Sequence, residues 1–383
     1  MEEITDRPGR LRELAALFLR LGITAFGGPA AHLAMMQNEV VERRRWLTSE
    51  EFLDLLGATN LIPGPNSTEM AIHIGHRRAG WRGLLLAGIC FISPGVVLTV
   101  ALAWAYVHFG AIPQAQWILY GVKPVIIAVV VQALWSLGRT AVRTRRALVL
   151  AALCLLATFL RVNELVVLVA GGASMAAVRA LTHRPSPPPT AMLLPLGPGA
   201  AAVGGAAVAF SPTKLFLVFL KIGSILFGSG YVLLAFLRED LVERLHWLTE
   251  KQLIDSVAAG QVTPGPVFST ATFVGYVIGG APGAALATVG IFLPSFVFVA
   301  LSNRLIPRLR RSESMRAALD GVNVASLALM VTVTWDLGRA ALVDPATLLL
   351  AFSGAVLLLR YKVNSVWLIL GGAIAGLVLK RGG

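Results

Sequence analysis

The sequence predicts an all-α integral membrane protein made of two homologous inverted repeats, with about 13 spans including a linker helix. Three observations predict it. The first is composition: 56% of the 383 residues are hydrophobic and 14% charged, with a mean hydropathy of +0.74. A soluble domain with that balance would expose too much apolar surface. Period-two alternation is absent, which favours helices over a barrel. The second is an internal duplication, and the third is a charge pattern that inverts between its two copies.

The duplication is read residue by residue. Phe18, Arg20, Gly22, Phe26 and Gly27 match Phe219, Lys221, Gly223, Phe227 and Gly228 at one constant offset. The same offset aligns Trp46-Leu47-Thr48 with Trp247-Leu248-Thr249, Asp54 with Asp255, and Pro63-Gly64-Pro65 with Pro264-Gly265-Pro266. After one deletion, Gly75, Gly83, Pro94 and Trp135 match Gly275, Gly283, Pro294 and Trp335. Matches spread over most of each half indicate true repeats.

The expected divisions are an N-terminal repeat over 1–183, a linker with an extra apolar segment over 184–211, and a C-terminal repeat over 212–383. The linker opens with Arg184-Pro185-Ser186-Pro187-Pro188-Pro189, a stiff polar run. In the first half, spans are expected near 12–36, 52–75, 83–108, 118–138, 147–160 and 164–181. Six equivalents follow in the second half. The segments 147–160 and 164–181 are short for full spans, and they and the first two broken segments are open to a re-entrant reading.

Loop charges set orientation. His76, Arg77, Arg78 and Arg82 make one loop basic, while its counterpart 276–282 has no charge. The loop 109–116 is uncharged, but its counterpart holds Arg304, Arg308, Arg310, Arg311 and Arg316. By the positive-inside rule the halves insert in opposite senses, with a cytoplasmic N-terminus and an external C-terminus. Arg43-Arg44-Arg45 conflicts with this assignment, because a crossing first span would place it outside. The net charge of +13 is assigned to such loops and not to nucleic acid, since no basic helix is interleaved with exposed aromatics. Cys90 and Cys154 lie in apolar segments and offer no disulfide framework or zinc spacing. No cofactor or metal is expected. Met1–Arg10 does not read as a cleavable signal peptide.

The candidate site lies at the broken segments. Proline and glycine interrupt a helix, and a break within lipid must be satisfied by protein or water. Matched breaks in two halves point to a transport site. Asn60, Pro63, Gly64, Pro65, Asn66 and Ser67 form the first, and Pro264, Gly265, Pro266, Ser269 and Thr270 the second. Asn66 with Glu69 reads as a capping box, and a helix start inside the membrane is an anion site. Gly27, Gly28 and Gly228 mark further breaks. Arg20 and Lys221 place a cation on each first span, which marks an ion path or a snorkelling head group. Glu69 is a candidate for proton coupling or for pairing with Arg20, and His32 is a weaker coupling candidate. The threonines of the two Trp-Leu-Thr motifs read as helix caps. No Gly-x-Ser-x-Gly, His-Glu-x-x-His or phosphate loop is present. A membrane enzyme using Asp54 and Asp255 and an anion channel remain as alternatives.

The run Phe26-Gly27-Gly28-Pro29-Ala30-Ala31-His32 resembles the chromate ion transporter family. So do Trp46-Leu47-Thr48, the stretch from Asn60 to Glu69 and Arg77-Arg78-Ala79-Gly80-Trp81-Arg82-Gly83. The resemblance covers nearly the whole chain, in the long two-repeat form. The second half departs from it, keeping Pro-Gly-Pro but lacking the Asn-x-x-x-Glu that follows. The resemblance implies proton-gradient-driven export of chromate from the cytoplasm and a resistance function. Expected partners are chromate, with sulfate as a related candidate, protons and the bilayer, and a homodimer is left open.

Overall fold

The computed structural model describes residues 7–25, 29–110, 112–160, 162–182, 210–227, 232–309, 313–361, 363 and 365–381. Its elements are helical throughout. The first repeat comprises α1 (Arg7–Thr24), α2 (Pro29–Gln37, widening into a π-helical turn Asn38–Arg43), α3 (Ser49–Thr59), α4 (Asn66–Phe109), α5 (Pro113–Ala141), α6 (Arg145–Phe159) and α7 (Glu164–Thr182). The second comprises α8 (Pro212–Ile225), α9 (Leu233–Leu237, followed by the π-helical turn Arg238–Arg244), α10 (Glu250–Val262), α11 (Thr270–Leu309), α12 (Glu313–Ala341), α13 (Pro345–Tyr361) and α14 (Ser365–Arg381). Several of these helices are long and apolar enough to cross a bilayer, α4, α5, α11 and α12 among them.

α4 is two arms joined by a tight turn. Ala79 and Gly80 leave the helical region, and Gly80 has φ 62°, where an L side chain is strained. The arms then run antiparallel in close contact: a Cβ on Gly75 would lie 2.5 Å from the Ala87 methyl and would collide with the Gly83 carbonyl. Gly279 and Gly280 repeat the same turn in α11, with φ 62° at Gly280.

This hairpin changes the topology of the first two segments. Thr48 caps α3 through a reciprocal box with Glu51, at 3.1 and 2.9 Å. Arg77, at the end of the first arm of α4, donates to Glu51 at 2.8 Å. Arg78 reaches Glu13 of α1 at 3.2 Å and lies 4.9 Å over the Trp46 ring. The starts of α1 and α3, the Trp46 turn and the Gly80 turn therefore share one face, called here the first face. Residues 12–36 and 52–75 each fold back after their break toward the end they start from, which is the geometry of the re-entrant course left open for them. Hydropathy counts apolar length but is blind to the direction the chain takes after a break. With this course the conflict over Arg43-Arg44-Arg45 falls away, since the α2 end returns to the N-terminal face.

The second repeat is built the same way from the opposite face. Phe210 stacks on Trp247 at 5.6 Å and abuts Gly279. Tyr106, at the far end of α4, donates to Asp255 in the second turn of α10 at 2.9 Å. The entry to α10 thus lies where α4 exits. Thr249 caps α10 with Gln252, the counterpart of Thr48 with Glu51. The expected extra span over 191–210 lies outside the described residues apart from Phe210.

The repeats interlock. α1 packs on α4 and α8 on α11 within each repeat, while α4 meets α11 across the centre. α5 packs against α13 and α14 of the second repeat, and α12 against α6 and α7 of the first. Glycines bring these backbones together, Gly121 against Gly372 and Gly376, Gly171 and Gly172 against Gly321. Tyr120 donates to Asp344 at 2.6 Å beside one of these seams.

Candidate functional site

Four interruptions meet at the centre of the bundle. α3 ends at Thr59 and helix resumes at Asn66. Pro63 and Pro65 supply no N–H, and Gly64 between them has φ 137°. The Gly64 N–H donates to the Leu226 carbonyl, just beyond α8, at 2.8 Å. The mirror contact is Gly265 (φ 89°) donating to the Ala25 carbonyl, just beyond α1, at 3.0 Å. The Pro-Gly-Pro break of each repeat is thereby tied to the first break of the other. His32 Nε2 donates to the same Ala25 carbonyl at 3.0 Å, and its ring stands edge-on to Phe91. His32 is a clasp on the break.

The lining of this junction is polar and unsatisfied. Glu69 is completely buried, and neither carboxyl oxygen has a partner among the described residues. The hydroxyls of Thr68, Ser269, Ser295 and Thr99 are buried without partners as well. Native interiors pair nearly all such groups, with protein or with bound species. A Cβ on Gly64 would collide with the Glu69 carboxyl and come within 2.6 Å of Ser295 Oγ. Glu69 and Ser295, one from each repeat, therefore both crowd the Cα of Gly64. α4 starts here, so its positive dipole end faces the break.

Some expected residues play other parts. Asn66 does not cap α4: Pro65 occupies the cap position without a side-chain bond. Instead Asn66 Nδ2 donates to Asn60 Oδ1 at 2.7 Å, joining the two rims of the break. In the second repeat a short 3-10 turn, Val267–Ser269, precedes α11, and Thr270 Oγ1 presses against Gly260. Pro264, Gly265, Pro266 and Ser269 are buried at the junction, as are Pro65 and Ser67, while Pro63 is half-buried. Gly27, Gly28 and Gly228 lie outside the described residues.

The two helix cations are paired. Arg20, about half exposed, meets Glu39 at 2.6 Å, and Glu39 also receives Arg43 at 2.7 Å and Arg44 at 3.2 Å. Lys221 meets Asp240, which also receives Arg244 at 2.9 Å. Glu39 and Asp240 occupy equivalent positions in the duplication, so the pair is kept while both residue types change. Of the two readings of Glu69, pairing with Arg20 is not the one seen, because Arg20 is held by Glu39. The matched acids had been legible by the same offset that found Arg20 and Lys221. Ser295 was not, because its counterpart is Gly95.

Asp54 and Asp255 do not form a carboxylate pair. They sit on α3 and α10, which start from opposite faces, and Asp54 is exposed. Asp255 is buried against Lys123 at 3.0 Å and Tyr106. No cluster of three metal-ligating side chains occurs among the described residues.

Two repeats, their breaks and a buried polar junction between them define a multi-pass helical membrane protein of duplicated architecture. The family model described as Chromate transporter matches residues 12–176 and again 213–377, and the chain belongs to that family. It is 32% identical over 384 residues to a chromate transport protein of Cupriavidus metallidurans, covering 96% of this chain and 93% of the relative. It is 35% identical to a chromate transport protein of Pseudomonas aeruginosa, covering 98% and 94%. An uncharacterized transporter of Methanocaldococcus jannaschii is 26% identical, covering 94% and 92%. No solved structure matches.

Proposed function

We propose that the protein exports chromate across the plasma membrane and so confers chromate resistance. The supporting observation is the central junction, where Glu69, Ser295, Ser269 and Thr68 are buried without partners around two opposed breaks. Hydroxyl donors and the start of α4 suit a tetrahedral oxyanion, bound without a metal. Asn60, Asn66 and Ser67 complete the lining in this reading. Arg20 and Lys221 act from a distance, keeping the approaches positive beside their paired acids. The first face, rich in arginine, is cytoplasmic, which puts the N-terminus inside and the C-terminus outside. The repeats divide at 1–183 and 212–383, with 184–211 between them.

The driving force is the proton gradient. Its electrical part alone is worth about 4.6 kcal/mol per 100 mV for a dianion leaving a negative interior. Glu69 is the proton carrier of this reading, because it alone among the described carboxyl groups is buried with both oxygens unpartnered. Everted vesicles test the function. They should accumulate chromate, and a protonophore should abolish the accumulation. Accumulation no faster than in control vesicles removes the chromate assignment, and equal uptake of sulfate widens it to oxyanions in general. Downhill movement alone would favour a channel.

A further inference from the structure

Away from the junction, the face opposite the Gly80 turn carries a pocket of about 280 Å³, with Tyr106, Leu119, Lys251 and Asp255 in its lining. Asp255 lies six residues beyond the Thr249 cap, so it sits about 9 Å below the helix start. Its buried carboxylate holds Lys123 of α5 at 3.0 Å and accepts from the Tyr106 hydroxyl at 2.9 Å. Lys123 is itself only 14% exposed. Three elements from both repeats, α4, α5 and α10, thus converge on one ion pair, whose Asp255 faces the pocket while Lys123 lies directly behind it.

This arrangement has no equivalent in the duplication. The counterpart of Lys123 is Asn323, and the counterpart of Asp255 is the exposed Asp54. The pairs Arg20–Glu39 and Lys221–Asp240 occur in both repeats, which fits a role in holding the fold. Lys123–Asp255 occurs once, on one face.

We propose that Lys123 is the oxyanion-binding point on this face, and that Asp255 holds its ammonium when no anion is there. The proposal rests on the transport reading above for the identity of the anion. A buried cation stripped of its partner is costly, while a cation that exchanges one anionic partner for another is not. An oxyanion entering the pocket takes the place of the carboxylate on Lys123, with Tyr106 donating to it, and the released Asp255 carboxylate turns to Lys251, one turn earlier on α10 and in the same pocket. Return of Asp255 to Lys123 then expels the anion. A one-sided exchange site gives the two faces different affinities.

Right-side-out vesicles preloaded with chromate, exchanging against external labelled chromate, report affinity from the pocket face. Lys123→Ala should raise the half-saturating concentration about tenfold, the worth of one charge-assisted hydrogen bond, and Lys123→Arg should restore most of it. Asp255→Asn should lower the half-saturating concentration and slow turnover, because the competing carboxylate is gone. The Lys123→Ala/Asp255→Asn double variant should follow Lys123→Ala. An unchanged half-saturation in Lys123→Ala overturns the proposal. So does recovery of exchange by the charge-swapped Lys123→Asp/Asp255→Lys protein, which marks a structural pair. A second arm uses sulfate, a tetrahedral dianion that does not oxidise thiols. In purified protein with Cys90 and Cys154 replaced by serine, sulfate should slow maleimide labelling of Leu119→Cys, and Lys123→Ala should abolish that protection. If wild-type vesicles exchange no chromate, the chromate reading fails while the labelling arm still decides the site. Sulfate without effect on labelling counts against the site itself.

Discussion

The two Pro-Gly-Pro breaks share a backbone and differ in chemistry. Gly64 and Gly265 both have positive φ and both donate to a carbonyl of the other repeat. A Cβ added at Gly64 would run into Glu69 and Ser295; one added at Gly265 would meet only the carbonyls of Gly22 and Phe91 and the Cα of Gly95, all at 3.6 Å or more. Duplication preserved the hinge geometry, which either copy needs to break its helix. It left the lining free to diverge, so one side became acidic and tightly filled and the other plain. The first repeat carries the chemistry of the junction in this reading, and the second carries its frame.

The largest expected effect separates the two glycines. Gly64→Ala suffers left-handed strain, about 1–3 kcal/mol, together with a collision with the Glu69 carboxyl. Transport by normally inserted Gly64→Ala should vanish, and Gly265→Ala, strained at φ 89° but meeting only ordinary contacts, should keep a measurable fraction. Equal loss in both would erase the contrast. Next, Glu69→Gln keeps the shape but removes the acid. Its vesicle uptake should fall more than about tenfold and lose its dependence on the pH gradient, whereas Thr270→Val should stay within about threefold of wild type, since Thr270 packs on Gly260. A Glu69→Gln protein that remains fully proton-coupled moves the coupling elsewhere.

A third contrast concerns the ion pairs. Lys221→Ala leaves the nearly fully buried Asp240 with Arg244 alone, while Arg20→Ala leaves Glu39 with Arg43 and Arg44. The first should therefore lower the unfolding temperature in detergent more than the second, by about 1–3 kcal/mol of stability. The reverse order would show that Asp240 does not depend on Lys221 more than Glu39 depends on Arg20. The smallest effect lies at the caps. The Thr48 backbone N–H and the Arg77 guanidinium hold the Glu51 carboxyl below the usual carboxylate range. A carboxyl depressed on folding stabilises above its unfolded pKa and loses that contribution as pH falls through its folded value. The stability difference between wild type and Glu51→Gln should thus be present at neutral pH and fade below about pH 4. Gln252, neutral in the equivalent box, gives the second cap no such dependence.

Much of this was legible in the residues. The offset between Trp46-Leu47-Thr48 and Trp247-Leu248-Thr249 located both caps, and the charge inversion anticipated that the repeats start from opposite faces. The re-entrant course of α1–α2 and α3–α4 was less legible, because Arg43-Arg44-Arg45 looked misplaced only while a crossing was assumed. Pairing of Arg77 with Glu51 and of Tyr106 with Asp255 spans distances that periodicity does not encode. The contact of Gly64 with Ser295 escaped for a related reason: it joins different repeats at a position where the copies disagree. Lys123 escaped because a lone lysine in an apolar run does not reveal its partner.

The crossed packing of α5 on α13 and α14 also has a consequence for synthesis. When the ribosome has completed α5, the helices that cover it are encoded at the far end of the message. At about 5–20 residues per second, the flank bearing Val125 and Gly121 waits on the order of ten seconds or more beside the insertion machinery. A ribosome stalled before Pro345 would release a nascent chain whose first half is fully made and still uncovered. Such a chain should be a substrate for membrane quality control, and its degradation in a stalled-translation assay would time the moment at which the two halves close.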